Sequence, residues 1–185
     1  ASSVTYGNTL SLESTGGSST GSTSYAVSSG TCTISGSTLT PGDAGSTCII
    51  TATKAADTNY NSVSSSTQTI TINKASQSAL TIDSAATVAF GSTLTLSTTG
   101  GSGTGSVTYS KTGTCTISGS TLTPGDAGSS CVVTATKALD TNYNAISSAT
   151  QTITITKINQ SALTISSTSG TFGSALTLTT SGGTT

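Results

Sequence analysis

The stretch Thr31-Cys-Thr-Ile-Ser-Gly-Ser-Thr-Leu-Thr-Pro-Gly-Asp-Ala-Gly-Ser-Thr-Cys48 decides the fold, because the chain contains it twice. It returns at residues 114–131 with one change, Thr47 to Ser130. Over residues 31–61 and 114–144 the two copies share 27 of 31 positions. Each copy carries two cysteines, a Ser-Gly-Ser turn and a Pro-Gly-Asp turn. Duplication of such a unit predicts a tandem array, in which each unit contacts its neighbours.

The composition favours folded β structure. Serine and threonine make up more than two-fifths of the 185 residues, charged residues are only 6 %, and the net charge is −1. A chain this rich in serine and threonine could be disordered. However, isoleucine, leucine and valine alternate regularly with threonine and serine, and threonine, being β-branched, is a good strand former.

The same composition argues against several classes of function. Five scattered lysines form no basic stripe, so we expect no nucleic-acid partner. The apolar runs are too short for a membrane span. Without histidine, a serine or cysteine nucleophile lacks its commonest base, and the only glutamate, Glu13, has Ser97 as its counterpart. We therefore predict a protein that is not an enzyme and needs no cofactor.

The four cysteines predict one disulfide in each repeat, Cys32–Cys48 and Cys115–Cys131. Strand alternation places each sulfur on the inward face of its strand. A metal site is the competing interpretation, but two lone thiols cannot complete a tetrahedral shell. Disulfides imply an oxidising compartment, so we expect the protein to be extracellular or on a cell surface.

The repeat period is about 83 residues, because Gly7 aligns with Gly91 and Gly173. The predicted domains are residues 1–74, a repeat that lacks its first strand; 75–157, a complete repeat; and 158–185, the first strands of a third. The missing strand is the counterpart of Ser78-Ala-Leu-Thr-Ile82, which returns as Ser161-Ala-Leu-Thr-Ile165. Both ends cut through a repeat, which predicts that the chain is a window on a longer protein.

The middle repeat predicts seven short strands, with a hairpin at Cys115–Thr123 and turns every eight to twelve residues. This spacing is typical of an antiparallel β-sandwich. Several segments of the repeat also resemble bacterial immunoglobulin-like repeats. They are Phe90-Gly-Ser-Thr-Leu-Thr-Leu96, the glycine-rich turn at 100–105, Val133-Thr-Ala-Thr136, Asp140-Thr-Asn-Tyr-Asn144 and Gln151-Thr-Ile-Thr-Ile155. The resemblance implies tandem immunoglobulin-like domains of a large cell-surface protein such as an adhesin. It departs from antibody domains in having no core tryptophan.

The Asp-Thr-Asn-Tyr-Asn loops are the best candidates for a metal site. They place oxygen ligands at alternate positions, like the start of a calcium loop, at Asp57, Asn59, Asn61, Asp140, Asn142 and Asn144. The set is weak, because each loop offers one carboxylate and no glycine or glutamate where a calcium loop needs them. A capped turn is the default interpretation, and no metal is expected.

Two other sets of residues carry alternatives. The seven aromatics fall into three repeat columns: Tyr6, Phe90 and Phe172; Tyr25 and Tyr109; Tyr60 and Tyr143. They either fill the core, with Tyr60 and Tyr143 pinning the last loop through their hydroxyls, or form a surface that stacks on sugars. Lys54 and Lys137 end a strand on its inward face, where they either sit at the rim or crosslink to Asn or Asp.

These observations predict a non-catalytic stalk or fibre segment of a bacterial surface or extracellular protein. The expected partners are the neighbouring repeats of the same chain. One alternative is an adhesin repeat that itself binds a host glycan or protein. Another is a subunit of a polymerising extracellular filament, in which copies of the chain donate strands to one another.

Overall fold

The computed structural model describes residues 1–183, so residues 184 and 185 of the predicted third repeat lie outside the described residues. The described chain is all β, with no helix, and therefore has no helix long and apolar enough to cross a membrane. Residues 1–74 contain β1 (Ser3–Thr5), β2 (Leu10–Ser11), β3 (Thr23–Gly30), β4 (Thr33–Ser35), β5 (Thr38–Thr40), β6 (Thr47–Lys54), β7 (Val63–Ser64) and β8 (Gln68–Asn73).

The second repeat has counterparts of these eight strands and two more, β9 and β12. It contains β9 (Leu80–Ile82), β10 (Thr87–Ala89), β11 (Leu94–Thr95), β12 (Thr98–Gly100), β13 (Val107–Gly113), β14 (Thr116–Ser118), β15 (Thr121–Thr123), β16 (Ser130–Lys137), β17 (Ile146–Ser147) and β18 (Gln151–Thr156). After it come β19 (Thr164–Ile165) and β20 (Thr180–Ser181), which pair with each other.

Each of the first two repeats has a large and a small sheet, and the second repeat also has a separate two-stranded sheet. The large sheets have the orders β1-β8-β6-β3 and β10-β18-β16-β13, with β7 and β17 pairing to β6 and β16. The small sheets are β2-β5-β4 and β11-β15-β14, and in the second repeat β9 pairs with β12. The predicted hairpin is confirmed, since Ile117 lies opposite Leu122.

Both sheets of a repeat contribute to one apolar core. In the second repeat, Leu122 of the small sheet is buried with Val133 and Ile153 of the large one. Alternation of threonine with isoleucine or valine builds this core, because successive side chains in a strand point to opposite faces. Strand β18, for example, buries Ile153 and Ile155 and leaves Thr152 and Thr154 exposed.

Both predicted disulfides are present. Cys32 is bonded to Cys48 and Cys115 to Cys131, with Cα–Cα distances of 5.9 and 5.8 Å. All four half-cystines are buried, so the sulfurs point inward as predicted. In each repeat the bond ties the start of the small-sheet hairpin to the central strand of the large sheet.

The strand pattern predicted purely antiparallel sheets, and this prediction is wrong for one strand pair in each of the two large sheets. Strand β1 runs parallel to β8, and β10 runs parallel to β18 with Val88 opposite Ile155. The reason is that the first part of the second repeat serves two sheets. It pairs with β12 through β9 and then, after residues 83–86, joins the opposite sheet through β10, where Val88 becomes buried.

The first repeat has one residue more than the second between the aromatic and cysteine columns. Tyr25 and Tyr109 are 84 positions apart, whereas Cys32 and Cys115 are 83 apart. The pairing of β3 with β6 shifts register between Val27 and Ser29, which absorbs the extra residue as a β-bulge.

Candidate functional site: the junction between the first two repeats

The Asp140–Asn144 loop, one of the two candidate calcium loops, lies where the second repeat meets the first. The Asp140 carboxylate organises it. One oxygen accepts the backbone N–H of Asn142 at 2.9 Å and of Tyr143 at 2.8 Å. The other accepts the backbone N–H of Thr104 at 2.6 Å and its hydroxyl at 3.1 Å. The carboxylate therefore ties this loop to the glycine-rich loop before β13.

Four donors on one carboxylate favour its charged form. The Thr104 N–H is the largest contribution, and together the bonds lower the pKa of Asp140 from its ordinary 3.8 to about 2. Asp57 repeats the arrangement with Thr20, Asn59 and Tyr60, and the Thr20 N–H is again the main reason that its pKa is lowered. These bonds form the capped turn that was the default interpretation of the motif.

The candidate calcium ligands have different hydrogen-bond partners. Asp57 and Asp140 accept hydrogen bonds from their own loops and from the loops of Thr20 and Thr104, whereas the Asn142 side chain bonds to Asp43 and Ala44 of the first repeat. Residues 1–183 contain no group of three or more acidic, cysteine or histidine side chains able to hold a metal ion. A calcium site at Asp57, Asn59 and Asn61, or at Asp140, Asn142 and Asn144, stays the less favoured alternative to the capped turn.

Asn142 makes the polar contact between the repeats. Its side-chain oxygen accepts the backbone N–H of Ala44 at 2.8 Å, and its amide donates to the Asp43 carboxylate at 3.0 Å. Asp43 and Ala44 belong to the Pro-Gly-Asp turn of the first repeat. The Pro-Gly-Asp turn of the first repeat is therefore hydrogen-bonded to the Asp140–Asn144 loop of the second.

Two tyrosines make the apolar contact beside it. The rings of Tyr6 and Tyr143 meet edge to face, with centroids 5.6 Å apart and planes at 78°. Tyr60, the counterpart of Tyr143, has no such neighbour within the described residues and is 52 % exposed. Ring packing, rather than the predicted hydroxyl bond, accounts for the position of Tyr143.

The aromatic columns thus differ in surroundings although they match in sequence. Tyr25 and Tyr109 pack against the cores of their repeats, as the core-filling interpretation predicted. That interpretation is wrong for Phe90 and Phe172, which are 44 % and 105 % exposed. Neither phenylalanine lies against a loop like Asp140–Asn144, which covers their counterpart Tyr6.

The linker between the repeats, residues 74–77, is hydrogen-bonded to loops of the second repeat. The Ala75 N–H donates to the Asn142 carbonyl, and the Ala75 carbonyl accepts the Asn144 N–H, both at 2.9 Å, which forms a short parallel bridge with the loop. The Lys74 ammonium donates to the Asp140 carbonyl. Lys74 and Ala75 therefore have little freedom to move independently of the second repeat.

Gln77, next along the linker, is buried. Its amide donates to the carbonyls of Asn144 at 2.7 Å and Ala138 at 3.2 Å, and its oxygen accepts the Gly103 N–H at 3.2 Å. In the first repeat the Ser19 hydroxyl, at the position of Gly103, binds the Ala55 carbonyl, the counterpart of Ala138. Gln160, the counterpart of Gln77 in the next linker, is exposed.

No protein-family model matches the chain, and no curated protein matches its sequence.

Proposed function

We propose that the chain is a structural stalk or fibre segment of an extracellular or cell-surface protein, built from tandem immunoglobulin-like β-sandwiches. The packing supports the fold: in the second repeat the strand pair β9-β12 and the sheet β11-β15-β14 share one apolar core with the sheet β10-β18-β16-β13. Such sandwiches likewise place strands on two sides of one apolar core. Two intrachain disulfides are typical of an oxidising compartment, which supports the location.

The observation that carries the proposal is the set of hydrogen bonds at the junction between the first two repeats. A linker bonded through Ala75 and Gln77, and a loop bonded through Asn142, leave few residues free to act as a hinge. Interdomain contacts are otherwise expected to permit relative motion. A segment whose function is to hold two sites at a fixed separation needs a junction of this kind, whereas catalysis does not.

Stretching single molecules of the 185-residue chain tests the proposal. We expect two force peaks, one for each of the first two repeats. Each disulfide locks the chain between cysteines that are 16 positions apart, so reduction should lengthen each unfolding step by about 50 Å. A chain that extends at low force without discrete peaks would contradict a mechanical role.

A second candidate function, an adhesin repeat that binds a glycan, is favoured by one observation. Tyr60 is 52 % exposed beside the polar Asp57 loop, an arrangement that suits stacking on a sugar. Binding of immobilised polysaccharides, compared between the wild-type chain and Tyr60→Ala, tests it. Val63→Ala is the matched control, because Val63 is exposed to a similar extent in the same repeat. Equal binding by all three proteins would leave Tyr60 without this role.

A further inference from the structure

Two strands in the first two repeats are long and are paired on one side only. Among the strands of residues 1–183, six have six or more residues: β3, β6, β8, β13, β16 and β18. Strands β6, β8, β16 and β18 lie between two neighbours, whereas β3 and β13 form edges of the large sheets with eight and seven residues. Every other edge strand in that part of the chain has at most three residues. Strands β3 and β13 therefore carry its long free edges.

A long free edge presents a row of unpaired N–H and C=O groups to any other strand. A matching strand is always near in this chain, because the two repeats share 27 of 31 positions over residues 31–61 and 114–144. Similar domains held close together are prone to misassembly with one another. The shorter edges offer too few hydrogen bonds for such pairing, so the hazard is confined to β3 and β13.

Strand β13 is regular but carries a lysine. It pairs with β16 without interruption from Val107 to Gly113. Lys111 lies opposite the fully buried Val133, on the same side of the sheet as Tyr109, which packs against the core. The lysine therefore leaves the edge on the core-facing side, where it is exposed and its ammonium donates to the Gly113 carbonyl at 3.4 Å. A strand added here would cover this charge, and burial of an unpaired charge is costly.

Strand β3 has no charged residue but is not regular. Val27 stands at the position of Lys111, because each follows the tyrosine of its strand by two positions. Ser28, directly after Val27, pairs with no residue of β6, and the register shifts there. Such a bulge bends the strand and increases its twist, which turns the edge away from a straight partner. Each long edge thus has one feature that hinders pairing, and the two features differ although the repeats are copies.

We propose that Lys111 and the bulge at Ser28 block these two edges, and that the partner they exclude is the equivalent edge of a second copy of this chain. Two equivalent edges can pair antiparallel about a two-fold axis, which joins two large sheets into one and closes a dimer. With both edges blocked, neighbouring chains can lie side by side without merging their sheets. This inference concerns contacts between chains and does not depend on the mechanical role of the repeats.

Sedimentation equilibrium of the 185-residue chain and of Lys111→Val tests the proposal, since valine is the residue that the first repeat has at this place. We expect the variant to form dimers where the wild type is mostly a single chain, with self-association tighter by about tenfold or more. Because Lys111 is exposed, the disulfides and the urea midpoint should stay unchanged. Amide exchange in β13 should become slower in the dimer, while exchange in β3 stays the same.

Two controls separate the place of the charge from its amount. Lys157→Val removes the same charge from an exposed position directly after β18, so it should associate no more than the wild type. Lys111→Glu changes the net charge further but keeps a charge on the edge, and it should also behave like the wild type. Association that followed net charge would instead appear in both controls.

The first repeat provides a second, independent test. Deletion of Ser28 should remove the bulge and leave β3 regular and uncharged, so that this variant dimerises through β3. Adding Val27→Lys to the deletion should return it to a single chain. Should the deletion disturb the circular dichroism, the Lys111 variants decide alone. The proposal is overturned if Lys111→Val has the mass of the wild type at every concentration, if Lys157→Val associates as strongly, or if association protects strands other than β13.

Discussion

Asn142 of the second repeat donates to the Asp43 carboxylate of the first at 3.0 Å, although 99 positions separate them in sequence. Asn59 holds the place of Asn142 in the first repeat and is exposed. The same loop therefore occurs once in contact with a neighbouring repeat and once without one. This pair of loops provides an internal control for every contact at the junction.

Asn142→Ala should loosen the junction without unfolding either repeat. The Ala44 N–H would lose its acceptor, and a hydrogen bond of this kind contributes about 0.5–1.5 kcal/mol. Amide hydrogen exchange at Ala44 should therefore become faster, while exchange in β6 and β16 stays unchanged. Asn59→Ala is the control and should alter neither. Unchanged exchange at Ala44 in the Asn142 variant would show that this bond does not hold the junction.

Gln77→Ala should destabilise the second repeat more than a surface change does. It removes the donor that serves the carbonyls of Asn144 and Ala138, and the acceptor that serves the Gly103 N–H. An unsatisfied buried polar group costs about 1–3 kcal/mol, reduced here to the extent that water enters the space left by the side chain. Urea unfolding followed by circular dichroism measures the loss.

The control for Gln77 is Gln160→Ala, since Gln160 is the exposed residue at the same place in the next linker. It should leave the unfolding midpoint where it is. If both substitutions shifted the midpoint equally, the effect would come from the backbone preferences of the substituted linker residue. The hydrogen bonds of Gln77 would then not be its cause.

Replacing Cys115 and Cys131 by alanine should destabilise the second repeat selectively. Closing a loop of this size stabilises a fold by about 3 kcal/mol in the chain-entropy model, and removal of two buried sulfurs adds to the loss. We expect urea unfolding to separate into two transitions, the earlier one belonging to the second repeat. The matching change at Cys32 and Cys48 should reverse the order. A single unshifted transition in both variants would contradict the role given to the disulfides.

The strands and disulfides could be predicted because each depends on local alternation. Ile153 and Ile155 alternate with threonine, and Cys131 shares their inward direction across the sheet, so their burial follows from the period of a strand. The bulge near Val27 was also visible in principle, as the change from an 84-residue to an 83-residue offset between columns.

The junction could not be predicted, because identical residues have different surroundings there. Tyr60 and Tyr143 lie in the same motif, yet only Tyr143 packs on Tyr6. The local sequence of a repeat does not indicate whether another repeat packs against its Asp-Thr-Asn-Tyr-Asn loop. The parallel pairing of β10 with β18 was missed for a similar reason: alternation specifies a face of a strand and says nothing of its direction.

Acid should lower the stability that the Asp57 and Asp140 loops contribute to the fold, because the pKa values of both carboxylates are lowered in the folded chain. The pKa of Asp140 is about 2 in the folded chain, below its ordinary 3.8, so the carboxylate contributes stability above pH 3.8 that is lost as the pH falls toward 2. The lowered pKa of Asp57 acts in the same sense. Unfolding midpoints in urea should therefore decrease between about pH 4 and pH 2.

Asp140→Asn isolates the contribution of one loop. The amide can still accept from Asn142 and Tyr143, but its NH₂ group would face the Thr104 N–H, so the variant should be less stable at neutral pH and lose less on acidification. Asp126→Asn is the control, because the Asp126 side chain is exposed and lies in a different turn. If the Asp140 variant lost as much stability between pH 4 and pH 2 as the wild type, the acid sensitivity would have to come from Asp57 or from the remaining carboxylates.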